Sequence, residues 1–287
     1  MLSKLKVYYQ LTKPGIIYGN AMTAIAGFFL ASRGHVNFVL LLMMLIGLSL
    51  IIGSSCAFNN VWDAGIDAKM ERTKNRAMVK GEISKSRAII FATVIGLVGA
   101  AILGLHTNLL TLAVALIGMF FYLVLYTPLK RKTVYGTIIG AVAGATPPVV
   151  GYVAVTNNFD TAALLLFFIL VFWQMPHFYA IAIRRLEEYK AASIPVLPVK
   201  EGIHVTKIKM LAYIVAFTLA AAALTYFKYT GYIYLAVMVL LGLYWFWSGV
   251  KGFKNQDDKL WAKKMFLSSL MILTLFSVVV SFGVRIY

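Results

Sequence analysis

A single cysteine, Cys56, stands among the 287 residues, so an internal disulfide is excluded and redox compartment cannot be read from thiols. Acidic residues are also scarce: ten Asp and Glu stand against 27 Lys and Arg, a formal net charge of +17. Charged residues make up only 13% of the chain, against ~25% in a soluble domain, while 61% is hydrophobic. No Rossmann glycine pattern, P-loop, HExxH zinc pair, nucleophile elbow or heptad repeat is present. Those absences argue against dinucleotide binding, P-loop nucleotide chemistry, zincin chemistry and coiled-coil assembly. No cleavage site follows the opening "MLSKLKVYYQLTKPG", and no Arg- and Ser-rich extension precedes the first apolar run. The expected setting is therefore a bacterial inner membrane without a cleaved leader.

What is abundant is hydrocarbon in runs of spanning length. About 20 apolar residues cross ~30 Å of bilayer as a helix. The runs are continuous, where the strands of a barrel would alternate. The fold class is all-α, a polytopic membrane protein forming one domain over residues 1–287. Spans are expected near 16–33, 38–58, 88–106, 108–127, 137–156, 162–183, 208–228, 231–249 and 266–284.

Charge supports that count. With nine spans, 24 of the 27 Lys and Arg fall on one face, and only Arg33, Lys228 and Arg285 fall on the other. The positive-inside rule makes the first face cytoplasmic, so the amino terminus is inside and the carboxy terminus periplasmic or extracellular. The same rule accounts for the basic excess without nucleic acid, since no basic face with interleaved aromatics lies outside the apolar runs. Two cytoplasmic connections, about 59–87 and 184–207, are too polar for hydrocarbon and too long for turns. Function is expected there.

In the first, Asn59, Asp63 and Asp67 recur every fourth residue. On a helix such residues drift only ~40° per step and form one ladder. Two carboxylates and an amide suit Mg²⁺, a hard ion that keeps waters and bridges to phosphate. Left bare, the carboxylates repel. Arg72, Lys74 and Arg76 follow, and guanidinium and ammonium groups suit phosphate oxygens. A diphosphate held between metal and basic groups, with an apolar tail among the helices, explains the pattern. An ion path in a transporter is the competing explanation. Lys69, Lys80, Lys85 and Arg87 read as topology signals only.

In the second connection, Gln174 and His177 sit near the end of an apolar helix beside Pro176. His177, Arg184 and Glu188 are offset by seven and four residues, which places them on one helical face. A hydrogen-bonded histidine at a bend is the plain alternative for His177. A third cytoplasmic piece carries Lys130 and Arg131, candidates for substrate binding beside their topology role. Gly136, Gly140 and Gly144 there make a smooth packing groove, and Pro147–Pro148 is expected to break the fifth span. Tyr122, Tyr126 and Tyr179 are candidates for cation–π stabilisation of a carbocation or for core packing. A polar stretch follows both the second and the sixth span, a hint of duplicated halves.

These residues carry a resemblance. "NNVWDAGIDAKMERTKNR" resembles the first aspartate-rich signature of the intramembrane aromatic prenyltransferase superfamily. "LTKPG", "YTPLKRKTVYGTIIGAVAGATPPVVGY" and "FWQMPHFYAIAIRRLEEYKAASIPVLPV" are similar to its heme O synthase (protoheme IX farnesyltransferase) branch, and the likeness runs from about residue 8 to 265. The resemblance implies nine helices around a central cavity capped by cytoplasmic loops. It implies farnesyl transfer from farnesyl diphosphate to a vinyl group of heme B with addition of water, Mg²⁺ as cofactor and heme B as substrate. Asn59, Asp63 and Asp67 inherit the metal-diphosphate role, and Arg72, Lys74 and Arg76 the basic clamp. The superfamily's second aspartate-rich motif is replaced here by His177, Arg184 and Glu188, and the heme branch usually has Asp where Glu188 stands. The carboxylate survives, but a second magnesium site does not follow. Arg184 then becomes a partner for diphosphate or a heme propionate, and His177 a group approaching the porphyrin, as an iron ligand or otherwise. Partners implied are the two substrates and membrane lipid, with handover of product to heme A synthase or a terminal oxidase left open.

Overall fold

A computed structural model describes residues 2–71 and 73–282. Among these residues there is no strand, and nine helices are long and apolar enough to cross a membrane. They are Pro14–Ser32, Phe38–Asp67, Lys85–His106, Leu109–Leu129, Gly136–Thr156, Thr161–Arg184, Gly202–Tyr226, Tyr232–Lys254 and Asp258–Phe282, numbered below as spans one to nine. The chain is a multi-pass membrane protein.

Local chemistry sets the starts. Pro14 opens span one directly after Lys13, whose φ of 51° marks a sharp entry. Asn37 caps span two by accepting from Leu40 N at 3.0 Å, and Asp160 caps span six by accepting from Ala162 N and Ala163 N. Span two is longer than its apolar run. It remains helical to Asp67, because the polar residues that follow the run turn inward and find partners. Asn59, Asp63 and Asp67 are thus one ladder on a continuous helix, and all three are buried.

Span five is two helices, Gly136–Gly144 and Thr146–Thr156, separated at Ala145. Pro147 and Pro148 lie in the first turn of the second piece, where a missing N–H costs nothing. Span six, by contrast, continues through Pro176. Span four holds a feature that hydropathy does not reveal: Phe121–Tyr126 is a π-helical turn. Pro128 follows it, and a proline ring collides with the carbonyl four residues back. A widened turn relieves that collision and changes the aim of the residues within it.

The expected face joining His177, Arg184 and Glu188 is not continuous. Span six ends at Arg184, Arg185 leaves helical geometry at φ −116°, ψ 29°, and Glu188 lies on a separate short helix, Leu186–Ala191. Arg185 then pairs with Glu188 at 2.8 Å. In the bundle, span one packs on the second half of span five and on span nine, span six on spans seven and nine, and span two on span three.

Candidate active site

A cavity of about 540 Å³ lies among spans one, two, four, five, six and nine. That is within the ~300–1,000 Å³ common for ligand pockets. At one end it is ionic, with Lys13, Asn59, Asp63, Asp67, Arg76 and Lys130 on its wall. Its body is apolar, with Leu48, Ile51, Met119, Leu170, Ile181 and Leu273. The first connection contributes Met70 and Arg76, and the second contributes Tyr189, Ile194, Pro195 and Val196. The two connections therefore close over one chamber.

The ionic end is a network. Lys130 and Arg131 both donate to Asp63, Arg131 at 2.8 Å, and Arg76 donates to Asp67 at 2.6 Å. Lys13 Nζ donates to Asn59 Oδ1 at 2.6 Å, and Asn59 Nδ2 donates to Thr127 Oγ1 at 3.1 Å. Thr127 Oγ1 in turn donates to Tyr122 O, so the widened turn of span four is fastened to span two. Repulsion between the carboxylates is relieved here by the protein's own cations. Four cationic side chains meet two carboxylates and one amide, which leaves the site short of negative charge and receptive to an anion.

Burial acts on the cations. It pulls the Lys13 ammonium down to a pKa of about 8, with Arg76 and Lys130 pressing the same way and Asp63 opposing. Burial also lowers Lys130, partly offset by Asp63. Tyr122 and Tyr126 both line the cavity and stack with centroids 5.4 Å apart, while the Lys130 ammonium lies 5.1 Å from the Tyr126 ring. Glycine makes that placement possible. A Cβ on Gly140 would come within 2.9 Å of the Tyr126 ring, and one on Gly144 within 2.0 Å of Gln174 Oε1.

The sequence candidates thus divide by position. Asn59, Asp63, Asp67, Arg76, Lys130, Tyr126, Gln174 and His177 line the chamber, and Arg131 reaches it through Asp63. Gln174 spends its amide hydrogens on Ala141 O and Leu170 O. Lys74 points elsewhere, pairing with Glu71 at 2.6 Å. Arg184 lies over the Phe266 ring at 5.8 Å, Glu188 pairs with Arg185, and neither is on the cavity wall. Tyr179 belongs to a second cavity of about 480 Å³ with Phe172 and Tyr213. Arg72 lies outside the described residues. Lys13 and Thr127 were not among the candidates. Lys13 reads as an ordinary topology charge, and only its place before Pro14, at the mouth of span one, singles it out.

A match to the UbiA prenyltransferase family covers residues 20–270, and the chain belongs to that family. Protoheme IX farnesyltransferase 2 of Pseudomonas fluorescens (strain Pf0-1) is 50% identical over 283 residues, 98% of this chain and 96% of that protein. Protoheme IX farnesyltransferase of Protochlamydia amoebophila (strain UWE25) is 49% identical over 278 residues, covering 97% and 98%. Within the family, the chain falls in the protoheme IX farnesyltransferase branch. Among solved structures, a digeranylgeranylglyceryl phosphate synthase shares the fold at a TM-score of 0.82 and 18% identity, covering 98% of this chain and 99% of that one. A UbiA homologue from Archaeoglobus fulgidus, bound to GPP and Mg²⁺, does so at 0.67 and 13%, covering 96% and 99%.

Proposed function

We propose that this chain joins the farnesyl group of farnesyl diphosphate to a vinyl group of heme B, with addition of water, giving heme O and diphosphate. The observation that carries the donor half is the continuity of the ionic cluster with the apolar cavity: a charged head and a long hydrocarbon tail fit one chamber. The acceptor half is supported by relatives about half identical over nearly their whole length that bear the name protoheme IX farnesyltransferase.

Lys13, Arg76 and Lys130 grip the diphosphate oxygens. To do so they exchange their present partners, Asn59, Asp67 and Asp63, for phosphate. That exchange frees Asp63 and Asp67, whose carboxylates one turn apart suit a hard divalent cation. Asp63 and Asp67 would hold such an ion together with ligands from outside the protein, since among the described residues no three His, Cys, Asp or Glu are grouped to hold one alone. Magnesium, when held there, supplies positive charge against the departing anion.

The allylic C–O bond breaks with its electron pair leaving on diphosphate. Tyr122 and Tyr126 present aromatic faces to the allylic cation, and the apolar walls keep water from it. The vinyl π pair forms the new C–C bond, water adds to the cation left beside the porphyrin, and its proton passes to the released diphosphate. No covalent enzyme intermediate is required. The ionic end faces the cytoplasm of a bacterial inner membrane, the side to which the positive-inside rule assigns both connections.

Purified protein incubated with heme B, farnesyl diphosphate and Mg²⁺ is expected to yield a product heavier than heme B by farnesyl plus water, seen by mass analysis and lost on each omission. Diphosphate release with unmodified heme would reject the acceptor. Substrate movement across vesicles without chemistry would reject the enzyme.

Lys13 gives the donor step a pH signature. Its ammonium is present below a pKa of about 8 and lost above it. The kcat/KM for farnesyl diphosphate is therefore expected to fall as pH rises through about 8, because that ratio reports the free enzyme. Lys13→Arg keeps its charge and is expected to remove this limb. An unchanged limb in that variant would assign the titration to another group.

A further inference from the structure

Hydrogen bonding around His177 fixes which ring nitrogen carries the proton. Ser269 Oγ lies 2.6 Å from the Phe266 carbonyl oxygen, which only accepts, so the single hydroxyl proton is committed there. The same Oγ is 2.7 Å from His177 Nδ1 and must accept from it. In the neutral ring, Nδ1 then carries the hydrogen and Nε2 a bare lone pair. Among the described residues nothing hydrogen-bonds to Nε2, and the ring stands on the wall of the reaction cavity.

The ring is also held in place. Trp173 stacks on it at 4.8 Å and 24°, and Phe266 lies against it at 5.0 Å. Trp173 Nε1 donates to Ser269 O at 2.9 Å, which ties the stacking partner to the residue that receives the Nδ1 hydrogen. An imidazole anchored through Nδ1–H with Nε2 free is the arrangement in which histidine binds metal. No group of three His, Cys, Asp or Glu among the described residues could hold a free ion. A lone imidazole suits a metal that brings its own equatorial ligands, and a metalloporphyrin is such a species.

We propose that His177 Nε2 is the axial ligand of the iron of the acceptor heme, and that Ser269 is the positioning residue that sets its tautomer. The iron–nitrogen bond fixes the macrocycle in the cavity so that one vinyl edge faces the farnesyl donor. This inference rests on heme being the acceptor.

The test is a titration of the full-length purified protein with ferric heme B, read by absorption and resonance Raman. Wild type is expected to show a histidine-ligated iron. His177→Ala is expected to lose that signature and at least about tenfold in heme affinity, with added imidazole restoring both, while its affinity for farnesyl diphosphate stays at the wild-type value. Ser269→Ala is expected to keep the ligand but bind heme about tenfold more weakly. Heme bound by wild type with an iron spectrum unchanged in His177→Ala would overturn the ligation and leave the acceptor standing, and a loss of turnover there would point to a proton-transfer role. Failure of wild type to bind heme would overturn the acceptor and this inference together.

Discussion

Replacing Asp63 with asparagine is expected to lower turnover by at least about a hundredfold, the scale on which removing one charge-stabilising group acts in a water-poor site. Asp63 is buried at the centre of the ionic end and engages both Lys130 and Arg131. Asparagine keeps its size and its place on the helix but supplies neither the charge for a metal nor the counter-charge for two cations. The protein should still assemble. Leaving the partner of a fully buried pair uncompensated costs ~3–5 kcal/mol, but the Arg131 side chain is 38% exposed and screened by water, and Lys130, 17% exposed with its pKa already lowered by burial, can shed its proton when its counter-charge is removed. Asp63→Glu retains the charge and separates chemistry from geometry. Turnover is measured as heme O formed by purified protein whose elution and unfolding profiles match wild type. Wild-type turnover in Asp63→Asn would remove the ladder from the mechanism.

The second large effect is on stability. Span one crosses the second half of span five so closely that a Cβ on Gly27 would lie 1.9 Å from the Pro148 carbonyl oxygen. From the other side, a Cβ on Gly151 would lie 1.9 Å from the Ala24 carbonyl oxygen. Both obstacles are backbone, so no side chain can turn aside and the helices must separate. Gly27→Ala and Gly151→Ala are each expected to cost about 1–3 kcal/mol, the range for overpacked cores. The double variant should cost less than the sum, because the first methyl already opens the gap that the second needs. Unfolding by denaturing detergent, followed by intrinsic fluorescence, gives the three values. Wild-type stability in both single variants would mean the crossing is looser than 1.9 Å implies. Small residues allow such close approach between membrane helices. Here the approach also sets the wall that carries Lys13, at the entry to span one, against span two.

The nine spans were legible because their uncharged runs are long and their flanking cations fall almost all on one face. The broken fifth span was legible from Pro147 and Pro148. The Asp63 ladder was legible as a face, since fourfold spacing has one meaning on a helix. Hydropathy misplaced its helix end: the run stops near residue 58, while the polar continuation stays helical because its side chains turn inward to partners distant in sequence. Those partners were not legible. Lys130 is 67 positions from Asp63, and nothing local distinguishes a cation that sets topology from one that grips a carboxylate. Arg76 and Lys74, two residues apart, illustrate the same limit, since one turns into the chamber and the other pairs outward with Glu71. The assumption of an unbroken helix past Arg184 failed at a single residue, Arg185, whose conformation carries Glu188 away from the His177 face. The π turn had a signal in Pro128, but a proline also fits a plain helix end.

One chamber is proposed to hold a charged head beside its hydrocarbon tail. A farnesyl diphosphate analogue with a photoreactive group at the far end of its tail tests this most directly, with the labelled residues mapped by peptide mass analysis. The expected adducts fall on Met119, Ile181, Leu273 and their cavity neighbours, and excess diphosphate suppresses them. Adducts confined to lipid-facing side chains such as Leu97 and Leu240, unaffected by diphosphate, would contradict it.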